Sequence, residues 1–90
     1  MATYSSFEDL PVWKSAKDLA VVVCKVASQG KLNRNFSFKD QVQRAAFSVF
    51  SNIAEGFERG SKQEFIQFLY IARGSCGELR SQLYILKDIE

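Results

Sequence analysis

The sequence predicts a small all-α domain built as an antiparallel helical bundle. Three segments repeat apolar residues at intervals of three and four, the period of a helix with one buried face. The chain holds only five glycines and one proline, and Pro11, Gly30 and Gly60 lie where the repeats begin or stop. Hydrophobic residues make up 47% of the chain and aromatic residues 13%, more than a disordered segment carries. We therefore expect one folded helical domain over residues 1–90.

The first helix is predicted over about residues 11–28. Before it lies a polar lead-in whose apolar members, Phe7 and Leu10, are expected to dock against the helix start. Pro11 suits a first helical turn, where its missing N–H has no partner to lose. The apolar positions that follow share one face: Val12, Trp13, Ala16, Leu19, Ala20, Val23, Val26 and Ala27. The valine run 21–23 would also suit a strand, but one period held over about sixteen residues favours a helix.

A loop is predicted over residues 28–37, followed by a second helix over about 38–59. The loop contains turn-forming residues: Gly30, Asn33 and Asn35. Ser37 is expected to be the N-cap, with Asp40 three positions later in an arrangement close to a capping box. The apolar face of this helix is the most regular of the three: Val42, Ala45, Ala46, Val49, Phe50, Ile53, Ala54 and Phe57. Gly60 is placed to end it in a left-handed conformation.

The third helix is predicted over about residues 62–90. Ser61 and Glu64 form a Ser-x-x-Glu capping box, and so short a break implies that the second and third helices are antiparallel or meet at a sharp corner. A helix of this length would span roughly 44 Å. With only two partner helices it leaves apolar surface uncovered, which indicates a missing fourth helix, self-association, or both. Gly74 and Gly77 are unfavourable within a helix, and we expect close approach of a neighbouring helix or subunit to compensate.

The basic residues are concentrated in the first half of the chain, although the formal net charge is only +2. Between residues 14 and 44, two acidic residues accompany seven basic ones: Lys14, Lys17, Lys25, Lys31, Arg34, Lys39 and Arg44. One interpretation is a positive face that contacts the phosphates of RNA or DNA. The other is lysines scattered over solvated helices. Most aromatic residues fall on predicted core faces, so no aromatic stacking platform is expected among the basic residues.

A polar stripe follows one face of the second helix: Gln41, Arg44, Ser48, Asn52, Glu55 and Arg59. It is either a solvated face carrying weak ion pairs or a polar seam between subunits, or it is an edge that contacts phosphate. Gly56, next to this stripe, is expected to serve close helix packing.

No catalytic, metal or cofactor site is predicted. Histidine is absent, the carboxylates alternate with basic residues along the helices, and no base accompanies Cys24 or Cys76. The two cysteines also lack metal-site spacing. The chain shows no signal-peptide pattern and no apolar run long enough to cross a bilayer, so we expect a cytoplasmic, non-enzymatic protein with reduced thiols. A disulfide between the two cysteines is left open.

The order of motifs resembles a known family over nearly the whole chain. The motifs are Phe7 to Trp13 (FEDLPVW), Gln41 to Ala46 (QVQRAA), Ser48, Ser51 to Gly56 (SNIAEG), Arg59, Glu64-Phe65, Phe68-Leu69, Ile71 to Ser75 (IARGS) and Glu78-Leu79. This series is similar to that of the four-helix bundle proteins encoded in intervening sequences of 23S rRNA genes. That family in turn resembles the accessory proteins of diversity-generating retroelements, which bind nucleic acid and a reverse transcriptase.

The resemblance implies an up-and-down bundle of the four-helix type, with the fourth helix missing from this sequence. It also implies a ring-like homo-oligomer, a pentamer in related proteins. The motif residues expected to form a polar interface between helices or subunits are Gln41, Arg44, Ser48, Asn52, Glu55, Arg59, Arg73 and Glu78. Two functions remain open: binding of RNA or DNA, and a role as an assembly or adaptor module for a protein partner.

Overall fold

The computed structural model describes residues 4–89, and these form an all-α bundle. Its three α-helices are α1 (Pro11–Ala27), α2 (Phe36–Glu58) and α3 (Lys62–Ile89). Short 3-10 helices at Phe7–Asp9 and Leu32–Arg34 precede α1 and α2, and the described residues contain no strand. The predicted fold class is therefore confirmed.

The central helix of the bundle is α2, against which both α1 and α3 mainly pack. Contacts between α2 and α3 pair Ser48 with Ser75 and Phe57 with Phe65, so the two helices run antiparallel from the turn that joins them. The long axis of the molecule measures 44 Å, which is the length expected for a helix like α3. The second and third helices thus form an up-and-down pair.

The core consists of two clusters on either side of the middle of α2. The cluster nearer the start of α2 contains Ala20, Val23, Val42, Ala45, Ala46 and Leu79. The cluster nearer its end contains Leu10, Ala16, Val49, Ile53 and Ala72. Alanine is frequent in both clusters, and its small side chain lets the helix axes approach closely. As predicted, Phe7 and Leu10 dock at the start of α1, where the Phe7 ring lies 5.1 Å from that of Trp13.

The predicted N-cap of α2 is wrong. The helix begins at Phe36, and Asn35 is the cap, because its side-chain oxygen accepts a hydrogen bond of 3.1 Å from the amide of Phe38. Asparagine caps helices as well as serine does, so both residues satisfied the sequence rule. The earlier start brings Phe38 onto the core, where it packs against the cluster that contains Val42.

The segment between α1 and α2 is more ordered than the predicted loop. It contains the 3-10 turn Leu32–Arg34, and the Leu32 side chain is 1% exposed. A buried leucine fixes this segment against the helices on either side. The backbone that carries Lys31 and Arg34 is therefore anchored to the bundle.

The turn between α2 and α3 follows the prediction. Gly60 adopts φ +87°, a conformation that side chains with a Cβ rarely adopt. The hydroxyl of Ser61 accepts a hydrogen bond of 3.1 Å from the Glu64 amide and lies 3.0 Å from its carboxylate. The capping box thus begins α3 directly after the glycine.

Four residues that the three-and-four spacing places on apolar helix faces are exposed instead: Val12 and Val26 on α1, and Cys76 and Leu83 on α3. All four border an open groove that lies between these helices. No element within residues 4–89 covers this groove. The uncovered surface predicted for the long third helix is therefore present.

The glycines of the helices differ in what surrounds them. A Cβ built on Gly56 would lie 2.5 Å from the Phe68 Cβ, so this glycine permits the close packing of α2 on α3. No atom lies within 4 Å of a Cβ built on Gly74 or Gly77. Within the described chain, no neighbouring helix compensates for these two glycines.

We predict opposite effects of alanine at Gly56 and at Gly77. Gly56→Ala should lower the free energy of unfolding by about 1–3 kcal/mol, because the new methyl group overlaps Phe68. Gly77→Ala should raise it by up to about 1 kcal/mol, because alanine favours the helix and meets no neighbour. Urea unfolding followed by circular dichroism, at concentrations where the chain is monomeric, measures both. Equal effects of the two changes would contradict this packing.

Candidate nucleic-acid surface and polar interface

Three of the predicted basic residues form a stripe along α1. Lys14, Lys17 and Lys25 are exposed, and their spacing places them on one side of the helix together with Val21. The stripe follows the edge of α1 that faces α2, since Lys17, Val21 and Lys25 all border a depression between these two helices. These three lysines are therefore brought together.

Three more basic residues lie at the end of the bundle where α1 passes into α2. Lys31 and Arg34 are exposed in the connecting segment. Lys39, in the first turns of α2, donates a hydrogen bond of 2.8 Å to the side chain of Asn33. Lys25 lies in the last turn of α1, so this group continues the α1 stripe around the end of the molecule.

Few acidic side chains lie near these basic residues, and those that do form only exposed ion pairs. Asp40 pairs with Arg44 at 2.9 Å, and Asp18 pairs with Lys17 at 3.3 Å. All four side chains are well exposed, so each pair contributes little to stability and separates readily. Of the seven basic residues between positions 14 and 44, five form no ion pair within residues 4–89: Lys14, Lys25, Lys31, Arg34 and Lys39.

An aromatic ring lies among the lysines, contrary to the sequence-based expectation. The side chain of Phe47, on α2, is 42% exposed and borders a shallow depression of about 320 Å³ with Lys17, Val21 and Lys25. Its ring meets that of Phe50 edge to face, with centroids 5.9 Å apart. A signal was available in the sequence, because position 47 falls outside the three-and-four repeat that defines the buried face of α2.

The predicted polar stripe joins α2 to α3 at its centre. The hydroxyls of Ser48 and Ser75 are 2.7 Å apart across the two helices. Asn52 donates to the Ser48 hydroxyl at 2.9 Å and to the Ser48 carbonyl at 2.7 Å. These three half-buried side chains form a small hydrogen-bonded network, in which Ser75 is a partner that the stripe on α2 could not reveal.

Near the α2–α3 turn, Arg59 connects both helices. Its guanidinium lies 3.0 Å from Glu55, 3.6 Å from Glu64 and 5.1 Å from the centre of the Phe68 ring. The side chain packs over the site where Gly56 admits Phe68. Arg59 thus links the end of α2 to the start of α3. Because its side chain is exposed, each ion pair contributes little to stability.

The remaining residues of the predicted polar interface point outward. Gln41, Arg73 and Glu78 are exposed and form no side-chain hydrogen bond within residues 4–89. Arg73 borders the open groove between α1 and α3. A role for this set between subunits stays a prediction.

The groove between α1 and α3 is the main apolar concavity of the described chain. One part, of about 370 Å³, is lined by Val12, Ala16, Leu19, Ile53, Leu69 and Cys76. A second part, of about 270 Å³, continues from Leu19 towards Val26, Leu83 and Leu86. Cys24 instead borders the depression between α1 and α2, so the two cysteines lie on different sides and both are free. The disulfide left open by the sequence is not formed.

Neither a metal cluster nor a membrane span is found in the described part of the chain. No three His, Cys, Asp or Glu side chains within residues 4–89 are grouped so that they could hold a metal ion. Likewise, none of the helices in this range combines the length and the apolar character needed to cross a membrane.

Comparison with protein-family models gives a match over residues 8–90 to the 23S rRNA-intervening sequence protein family. The chain belongs to this family. The match includes all three helices. It confirms the resemblance that was inferred from the order of motifs over nearly the whole chain. No curated protein and no solved structure gave a match.

In this family member, the hydroxyl pair between α2 and α3 can be tested by a double-mutant cycle. Ser48→Ala and Ser75→Ala should each lower the free energy of unfolding, and the double variant should lose less than the sum. We expect a coupling of about 0.5–1.5 kcal/mol, the net value of one hydrogen bond. Chemical denaturation of the four proteins measures it. Strictly additive losses would show that the two hydroxyls do not interact.

Proposed function

We propose that this chain is a non-enzymatic, homo-oligomeric RNA-binding protein that acts in the cytoplasm. The observation that carries the proposal is the basic surface formed by α1, the segment after it and the outer side of α2. Five of its seven basic side chains form no ion pair in the described chain, so their charge is free to act on phosphates. The family description, which refers to 23S rRNA, favours RNA over DNA as the nucleic acid.

The charge of the molecule is separated along its long axis, which supports this proposal. Lys25, Lys31 and Arg34 gather where α1 passes into α2. At the opposite end, the α2–α3 turn carries Glu55, Glu58 and Glu64 together with Arg59 and Lys62, so this end is not basic. A net charge of +2 therefore understates the field at the basic end. Such a field would orient the basic end towards a polyanion.

The open groove between α1 and α3 supports the homo-oligomeric part of the proposal. Contiguous apolar surface of this kind usually marks an interaction site, and an isolated chain leaves it in water. A helix from another copy would cover it, and a pentamer is the assembly that the family resemblance implies. Several basic surfaces in one assembly would also raise the avidity for a long RNA.

The alternative function is an assembly or adaptor module that binds a protein partner. The same groove favours it, because an amphipathic helix of another protein could occupy the groove as well as a second copy could. The two functions differ in which surface matters. RNA binding depends on the basic end, whereas protein binding depends on the groove.

We predict that the triple variant K31E/R34E/K39E loses RNA binding while its helical content is unchanged. The three side chains are exposed or half-buried in the segment around the start of α2, so charge reversal removes phosphate contacts without disturbing the core. Fluorescence anisotropy with 23S rRNA fragments at low and high salt measures binding, and circular dichroism measures folding.

A matched control for this triple variant is K62E/R80E/K87E. It changes the net charge equally at exposed residues of α3. We expect it to retain most of the affinity. An equal loss in both triples would show that only the net charge matters, and full binding by the first triple would exclude the basic end.

We predict that Leu83→Glu dissociates the oligomer, whereas Tyr84→Glu does not. Leu83 borders the groove, while Tyr84, one residue later, is 60% exposed and does not line it. A buried carboxylate without a partner strongly disfavours an interface, and an exposed one does not. Light scattering coupled to size exclusion measures the mass of each variant. Dissociation by Tyr84→Glu alone would place the interface on another face of α3.

A further inference from the structure

The depression between α1 and α2 combines an aromatic surface with flanking positive charge. Apart from the two lysines, the residues that line it are apolar or weakly polar: Ala20, Val21, Cys24, Phe47 and Phe50. Lys17 and Lys25 lie four residues before and after Val21, which places them about 12 Å apart along the helix axis. Both lysines and Phe47 thus border one shallow site.

The Phe47 ring packs on a second aromatic ring that contacts the core. Its edge-to-face partner, Phe50, is half-buried and packs against both core clusters. The ring therefore rests on the rigid part of the bundle and loses little conformational freedom when something binds to its exposed side. A fixed aromatic ring at the surface is the arrangement on which unpaired bases stack.

Resting on the RNA-binding function proposed above, we infer that the bound RNA is single-stranded and that one of its bases stacks on Phe47. Lys17 and Lys25 contact the phosphates on either side of that base, and Lys14 extends the contact along α1. The basic segment at Lys31 and Arg34 receives the continuing strand. The site binds an unpaired region of RNA with little preference for sequence, because every base has an aromatic face.

Single-stranded RNA fits this surface better than a duplex does. In a duplex the bases are stacked on each other, and proteins contact mainly the backbone and the minor groove. A ring exposed between lysines would then face phosphates and gain nothing from its aromatic character. Of the nearby acidic groups, Asp40 is paired with Arg44, and the exposed ion pair of Asp18 with Lys17 separates when Lys17 contacts a phosphate.

The test separates stacking from charge. Phe47→Ala removes the ring, and Phe47→Trp keeps an aromatic surface. Tyr84→Ala is the control for loss of an exposed ring on α3, which lies beside Arg80 and Lys87 and not beside the lysines of α1. The double variant K17Q/K25Q removes the two charges. Fluorescence anisotropy is measured over a salt series with a labelled single-stranded RNA of mixed sequence, and with a duplex RNA of the same number of phosphates.

We expect Phe47→Ala to weaken single-strand binding about tenfold, as loss of one stacked base does, without changing the salt dependence. Duplex binding should be unaffected, and Phe47→Trp should bind the single strand as tightly as the unmodified chain. K17Q/K25Q should lower the slope of log affinity against log salt by roughly 1.4, because two phosphate contacts are lost. Tyr84→Ala should change neither quantity.

The outcomes distinguish this inference from the proposed function. If the unmodified chain binds RNA and Phe47→Ala has no effect, the stacking site is wrong but the RNA-binding function stands. If the unmodified chain binds no RNA at any salt concentration, both are wrong. If Phe47→Ala changes the oligomeric mass in light scattering and leaves the affinity of the remaining oligomer unchanged, the ring belongs to a contact between copies and the inference is overturned.

Discussion

The structure depends on the close packing of two helices onto α2. This packing requires small residues at the contacts, and α2 supplies them with Ala45 and Ala46 towards one end and Gly56 towards the other. At Gly56 the contact is so close that even a methyl group would overlap Phe68. Because a buried helix face must match the shape of its neighbours, these positions set where α1 and α3 lie.

That arrangement leaves two surfaces with different chemistry. Since α1 and α3 pack mainly on α2, the space between them stays open as an apolar groove. The other side of α1 faces outward with its lysines and meets the exposed ring of Phe47. The groove suits apolar association, whereas the basic side suits a polyanion. The two proposed interactions, association between copies and RNA binding, would therefore use different surfaces and would not compete.

Features of the fold that depend on residues near in sequence could be predicted, whereas features that depend on residues distant in sequence could not. The bounds of α3 and the turn at Gly60 followed from local rules, because a capping box and a left-handed glycine involve residues that are near in sequence. The start of α2 did not, because Asn35 and Ser37 both satisfy the capping rule. In the structure Asn35 is the cap, and Phe38, whose amide it accepts from, packs against the core. The 3-10 turn at Leu32 was missed for the same reason, since its burial depends on helices distant in sequence.

The sequence by itself determined the three helices, most of their buried faces, the family and the basic residues, because each of these depends on spacing along the chain. The tertiary structure alone decided which side chains meet. It joined Ser75 to Ser48 and placed Phe47 beside lysines that precede it by more than twenty residues. It also showed that Gly74 and Gly77 have no neighbour within the described chain. Periodicity gives the direction of a side chain on its own helix, but the partner it meets there depends on how the helices pack.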